Sequence, residues 1–118
     1  MAAALNLDGR TFRSVDNSPT GEVSASTVFH YHQDGDLVWA VYSGGAIRAG
    51  HLIALVLADG SLDMRYHHVN QSGALMTGVC RSVPERLPDG RARLHERWTW
   101  TSGDLSSGQS VVEEISNE

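Results

Sequence analysis

The stretch Arg91-Ala92-Arg93-Leu94-His95-Glu96-Arg97-Trp98-Thr99-Trp100-Thr101 alternates with a period of two residues. Ala92, Leu94, Trp98 and Trp100 fall on one side, with Glu96 among them, while Arg91, Arg93, His95, Arg97 and Thr99 fall on the other. Successive side chains of a strand point to opposite faces, so this reads as a half-buried β-strand with its tryptophans turned inward and its arginines wet. Working outward, residues 10–16, 22–33, 36–43, 46–57, 61–70, 74–83 and 108–115 are likewise rich in Val, Ile, Thr, Tyr, Phe and Trp. With 91–101 they make eight predicted strands. They are separated by Asp8-Gly9, Asp34-Gly35, Ser43-Gly44-Gly45, Asp59-Gly60, Ser72-Gly73, Asp89-Gly90 and the Gly/Ser stretch from Ser102 to Gly108. Asp and Gly tolerate the positive φ of tight hairpins, which makes these breaks turns rather than phosphate-binding loops. No window carries a 3.6-residue apolar stripe, and only residues 1–8 and 111–118 leave room for a short helix.

Strands joined by such short loops are antiparallel neighbours, and the topology is a meander. Eight meandering strands leave two unpaired edges unless the first meets the last, so the predicted fold is all-β: an eight-stranded antiparallel up-and-down meander closed into a small barrel. An open sheet that dimerises through its edge is the rival. Residues 1–9 read as an N-terminal segment and 10–118 as a single barrel domain, in keeping with 118 residues of 41% hydrophobic content. Gly50 suits a bulge or a bend at a barrel corner. Nine basic against fourteen acidic residues give a net charge of −5, which disfavours nucleic acid and anionic membrane as partners. The single cysteine, Cys80, and the absence of a long apolar run point to a cytoplasmic protein.

Alternation also turns Val23, Ala25, Thr27, Phe29 and Tyr31 inward on the second strand and Leu37, Trp39 and Val41 on the third. On the fifth it selects Leu62, Met64, Tyr66 and His68, and on the last Val111, Glu113 and Ile115. The expected lumen is aromatic with a few polar groups, the composition of a site for one small, partly apolar molecule. Trp39, Trp98 and Trp100 would floor it, and Tyr31, Tyr66, His68 and Glu96 would orient the ligand. An ionised carboxylate alone on an apolar face costs several kcal/mol, so Glu96 must be paired, hydrated, hydrogen-bonded or protonated with a raised pKa. Without a cavity the same residues form a filled core, with Glu96 meeting an arginine near a barrel end.

The fourth strand is apolar on both faces, His51, Ile53, Leu55 and Leu57 against Leu52, Ala54, Val56 and Ala58. With Val38, Ala40 and Tyr42 outward on the third, this predicts a homodimer through residues 37–43 and 51–58. His30-x-His32 puts two imidazoles on one outer face, but no third ligand is placed beside them, so no metal is expected. His67 and His68 point to opposite faces, as do Glu113 and Glu114. Inverting the faces would gather Arg65, His67, Arg93, His95 and Arg97 into an anion-binding lumen. Cys80, between Gly78 and Ser82 on its own face, reads as a small hydrophobe, and no Gly-x-Ser-x-Gly elbow is present. No cofactor is expected and no catalytic step is assigned. The alternatives are an enzyme using Glu96 as general acid or base beside a tyrosine, or a protein-binding module acting through the third and fourth strands.

Gly50-His51-Leu52-Ile53, Met64-Arg65-Tyr66-His67-His68-Val69-Asn70 and the run from Leu94 to Asp104, ending in Glu113-Glu114, resemble a family of short bacterial proteins often labelled N-acetylglutamate synthase. The resemblance spans about Arg10 to Ile115, and Glu96-x-Trp98-x-Trp100 is its most specific part. It implies one β domain and, by its label, an acetyl-CoA-dependent transferase. Such enzymes seat pyrophosphate on an Arg/Gln-x-x-Gly-x-Gly/Ala loop opening a helix. The nearest stretch, Arg86 to Ala92, has a different spacing and leads into a strand. In architecture the predicted barrel is similar to lipocalin-like and avidin-like, that is calycin-like, barrels, without a Gly-x-Trp near the first strand.

Overall fold

The computed structural model describes residues 5–115. Eight strands follow one another: β1 (Thr11–Asn17), β2 (Val28–Asp34), β3 (Leu37–Gly44), β4 (Ile47–Val56), β5 (Leu62–Asn70), β6 (Leu75–Arg86), β7 (Ala92–Trp100) and β8 (Ser107–Glu114). Each pairs antiparallel with the next, and β1 also pairs with β8, so the meander closes into a barrel with no free edge. The strand read over 108–115 is β8, which leaves no helix through Glu114; residues 1–4 and 116–118 lie outside the described part.

Closure gives every strand an inner face. On β7 it carries Ala92, Leu94, Trp98 and Trp100, all buried, as alternation predicts. Phe29 and Tyr31 on β2 and Leu62, Met64 and His68 on β5 are also inside. Two phases come out reversed. On β3 the inner residues are Val38, Ala40 and Tyr42, while Leu37, Trp39 and Val41 face solvent. The strand is apolar on both faces, so bulk alone misled; Ala40 stands between Tyr31 and Leu52 in register, where a larger side chain has no room. On β8 the inner residues are Ser110, Val112 and Glu114 rather than Val111, Glu113 and Ile115. The long turn from Thr101 to Ser106 conceals that register.

The second strand is also shorter than expected, beginning at Val28 instead of residue 22. Residues 18–27 form an excursion held by local bonds, Gly21 N donating to Ser18 O and Thr27 N to Ser24 O, and Ala25 is exposed on it. Gly50 is no bulge. The register irregularity in β4 lies between Ile47 and Ala49, and Gly50 is needed because the Tyr42 ring lies across it. A bulge does occur in β1, between Ser14 and Asp16, and it turns Asn17 back inside. One end of the barrel is sealed by Leu7, which precedes β1 and packs with Phe12, Tyr31, Val38, Leu62, Leu94 and Val112 in the core.

Candidate functional site

At the opposite end the lumen is not filled. A cavity of about 50 Å³ opens there, walled by Phe29, Tyr42, Tyr66, Trp98 and Trp100, with Leu52, Met64 and Cys80 between them. Its volume is kept by a repeated device. Tyr42 stands opposite Gly50, Tyr66 opposite Gly78 and Trp98 opposite Gly108 on the neighbouring strand. A Cβ on any of these glycines would overlap the aromatic ring. Each ring therefore lies flat along the wall over its partner's bare backbone, instead of projecting into the middle.

Five of the seven predicted site residues meet here: Tyr66, His68, Glu96, Trp98 and Trp100. Trp98 and Trp100 are only 8% and 5% exposed, with ring centroids 5.7 Å apart. Tyr31 is buried deeper, edge-on to Phe12, and lies outside the cavity wall. Its hydroxyl has no hydrogen-bond partner among the described residues, and burial pushes its pKa well up. Trp39 is a correction: it sits on the outer surface, stacked on His32, and floors nothing. The inverted-face alternative falls with it, because Arg65, His67, His95 and Arg97 are all exposed.

Glu96 stands at the centre of the β6–β8 wall, flanked in register by Ser82 and Ser110. Ser110 Oγ donates to its Oε1 at 3.0 Å, and the other carboxylate oxygen has no protein partner among the described residues. Burial raises its pKa to about 7, the Ser110 bond pulling the other way. The arginine pairing expected of a filled core goes to another carboxylate: at the sealed end Arg10 meets Glu114 at 2.7 Å. Cys80 is buried, and desolvation pushes its thiol far up, which leaves it a poor nucleophile.

A second polar group closes the mouth. His68 Nε2 donates to Glu22 Oε1 at 2.7 Å, and the Tyr42 hydroxyl lies 3.0 Å from Nδ1. A carboxylate only accepts, so Nε2 carries a proton, while the Tyr42 hydroxyl lies within reach of both Nδ1 and the His67 carbonyl, 3.4 Å away. Asn70 Nδ2 donates to Glu22 Oε2 at 3.0 Å, and Trp100 Nε1 donates to Thr20 O at 3.1 Å. The 18–27 excursion is thereby fastened across the rim. Sequence reasoning missed Glu22, hidden in a supposed strand, and Tyr42, assigned to the wrong face. The hairpin carried a signal for Tyr42: a turn at Gly35-Asp36 pairs Asp34 with Leu37, hence Tyr31 with Ala40 and Phe29 with Tyr42, so inward Phe29 requires inward Tyr42.

A closed eight-stranded meander whose lumen ends in an aromatic pocket with a few polar side chains defines a calycin-type barrel, a class suited to holding one small ligand. The avidin-like protein family model matches residues 5–115, and the chain belongs to that family. Among curated proteins, no sequence matches the chain significantly.

Proposed function

We propose that this protein binds one small molecule in the open end of its barrel, with Tyr66, His68, Glu96, Trp98 and Trp100 in contact with it. The observation that carries this reading is the wall itself: three aromatic rings spread over cross-strand glycines around a half-buried carboxylate that has one hydrogen bond among the described residues. A core built purely for stability would fill that space and leave no oxygen of Glu96 without a partner. Native mass spectrometry of the protein purified from its own source tests it. A bound small molecule is expected, and its loss on Trp98→Ala; a molecule retained equally by that variant would place the binding elsewhere.

An enzyme is the second reading, favoured by the displacement of Glu96 to about 7, where a carboxyl works as acid or base at neutral pH. Acetyl transfer gains no support from the segment near Arg86, since Leu87 to Arg91 is the hairpin turn that leads into β7.

The dimer reading moves to different residues. Leu37, Trp39, Val41, Ile53 and Leu55 form an exposed strip on the outside of β3 and β4, Trp39 beside Ile53 and Leu37 beside Leu55. They leave on the order of 400 Å² of apolar surface in water, about half of what one partner gives to a standard interface. We propose a second copy of the chain as the occupant, because one such strip laid on its own two-fold mate supplies the apolar centre that a symmetric interface needs.

A further inference from the structure

The charges around the cavity are of one sign. Glu96 and Glu22 line it, and none of the chain's nine basic residues, all of them arginine, does. Among the described residues of the wall, His68 is the one side chain that can carry positive charge, and Glu22 already occupies its Nε2. The free charged group is an acceptor, and the neutral groups without a partner among the described residues are the Tyr66 hydroxyl and the Trp98 indole N–H. One oxygen of Glu96 has no partner among the described residues, and the other accepts from Ser110 Oγ. Around these acceptors stand the rings of Tyr66, Trp98 and Trp100, with Tyr66 and Trp98 each set against Trp100 at centroid distances of 5.6 and 5.7 Å. Aromatic faces attract cations through their quadrupoles, most strongly where water is excluded, and repel anions. The cavity of about 50 Å³ has the size of an ammonium or guanidinium head rather than of a drug-sized ligand.

We infer that the cavity selects a small organic cation, whose ammonium or amidinium head sits against Glu96 and the rings of Trp98, Trp100 and Tyr66 while its apolar remainder points to the mouth. The inference rests on the small-ligand reading above and adds the charge of the ligand to it. It excludes two alternatives of the same size. A carboxylate-bearing ligand would face Glu96 and find no arginine. A neutral alcohol would satisfy one acceptor without the attraction of the carboxylate and the rings.

The test uses three probes of one shape: n-butylammonium, n-butanol and butyrate, titrated at pH 8 into the intact protein with its tryptophan indoles labelled with ¹⁵N. Trp39, on the outer surface, is a built-in control for nonspecific effects. Butylammonium is expected to shift the Trp98 and Trp100 indole signals, leave Trp39 in place, and bind at least about tenfold more tightly than butanol or butyrate. Glu96→Gln, which keeps shape and removes charge, is expected to reduce that preference over butanol to about twofold or less. Butanol or butyrate binding as tightly as butylammonium overturns the cation inference and leaves the small-ligand reading standing. If no probe moves Trp98 or Trp100, both fall. The wild-type series decides the matter even where the variant fails to fold.

Discussion

At one end of the barrel the hairpins turn on Gly35-Asp36, Asp59-Gly60 and Asp89-Gly90, with φ of 61°, 86° and 89° at the glycines. At the other end the short turns 45–46 and 71–74 stand beside the long 18–27 and 101–106 segments. The contrast continues inside. The tight-turned end is filled by Leu7, Phe12, Tyr31, Leu62, Leu94 and Val112, each no more than 1% exposed. The long-looped end sets Gly50, Gly78 and Gly108 beneath aromatic rings and keeps a cavity. The same two-residue alternation builds both ends, so inwardness alone does not distinguish a core from a pocket. The distinction lies in cross-strand neighbours: large beside large fills, and ring over glycine leaves room. The division of labour predicts that the sealed end carries stability and the open end carries binding.

The sharpest way to break that comparison is truncation at the sealed end. Phe12→Ala removes a fully buried ring that meets Tyr31 edge-on, and a loss of about 3–5 kcal/mol is expected in urea unfolding. Tyr66→Ala at the open end should cost clearly less, because that side chain is only partly buried. Equal losses would mean that the open end is as much core as the other.

Glu96 gives the next largest effect, and it depends on pH. Its carboxyl titrates near 4.5 when unfolded and at about 7 in the fold. Between those values the native state holds a proton that the unfolded chain has released, so stability falls as pH rises through the window and the loss is complete above pH 7. The full displacement corresponds to roughly 3 kcal/mol. The groups facing this carboxyl are Ser110, Tyr31, Tyr42, Tyr66 and Cys80, together with Glu22 at the rim, and burial holds the tyrosines and the thiol protonated throughout the window. Glu96→Gln should therefore stabilise the empty protein by about 2–3 kcal/mol at pH 8 and by little at pH 4. A stability difference that does not change with pH would deny the half-buried, ionising carboxylate.

How far the sequence carries this comparison depends on the strand. On β7, polar arginines against tryptophans fix the phase without ambiguity, and five pocket residues follow from β5 and β7 alone. On β3, Leu37-Val38-Trp39-Ala40-Val41-Tyr42 offers no polar face, so the phase is set by a partner strand rather than by its own pattern. Glu22 reaches His68 across 46 residues of chain, a contact that depends on closure and on the path of an irregular loop, and no local spacing encodes it. The glycines were visible as residues, yet their meaning is relational: Gly78 matters because register places Tyr66 beside it.

Gly78→Ala tests that relation directly. The new methyl overlaps the Tyr66 ring and must drive it off the wall, at an overpacking cost of about 1–3 kcal/mol. The displaced ring enters the cavity, so ligand affinity should fall although no ligand-contacting side chain has been removed. Pairing Gly78→Ala with Tyr66→Ala should restore room; a double variant no better than the single would locate the damage in the backbone instead.

The outer surface supplies the smallest effect on stability and the cleanest test of the second-copy proposal. Ile53 is 55% exposed on β4 beside Trp39, and its side chain lies on the opposite face of the strand from Leu52 in the lumen. Ile53→Glu should therefore alter the stability of a single barrel by no more than about 0.5 kcal/mol. If two copies meet through this strip, a carboxylate near their two-fold axis is brought close to its own mate in an apolar surrounding, and repulsion and desolvation act together. Sedimentation should then change from dimer to monomer while the Trp98 and Trp100 signals remain in place. A wild-type protein that is monomeric at every concentration tested removes the dimer and leaves Trp39 as an exposed ring stacked on His32. Either outcome leaves the pocket argument untouched, because the alternation that turns Ile53 outward is the same one that turns Leu52 inward.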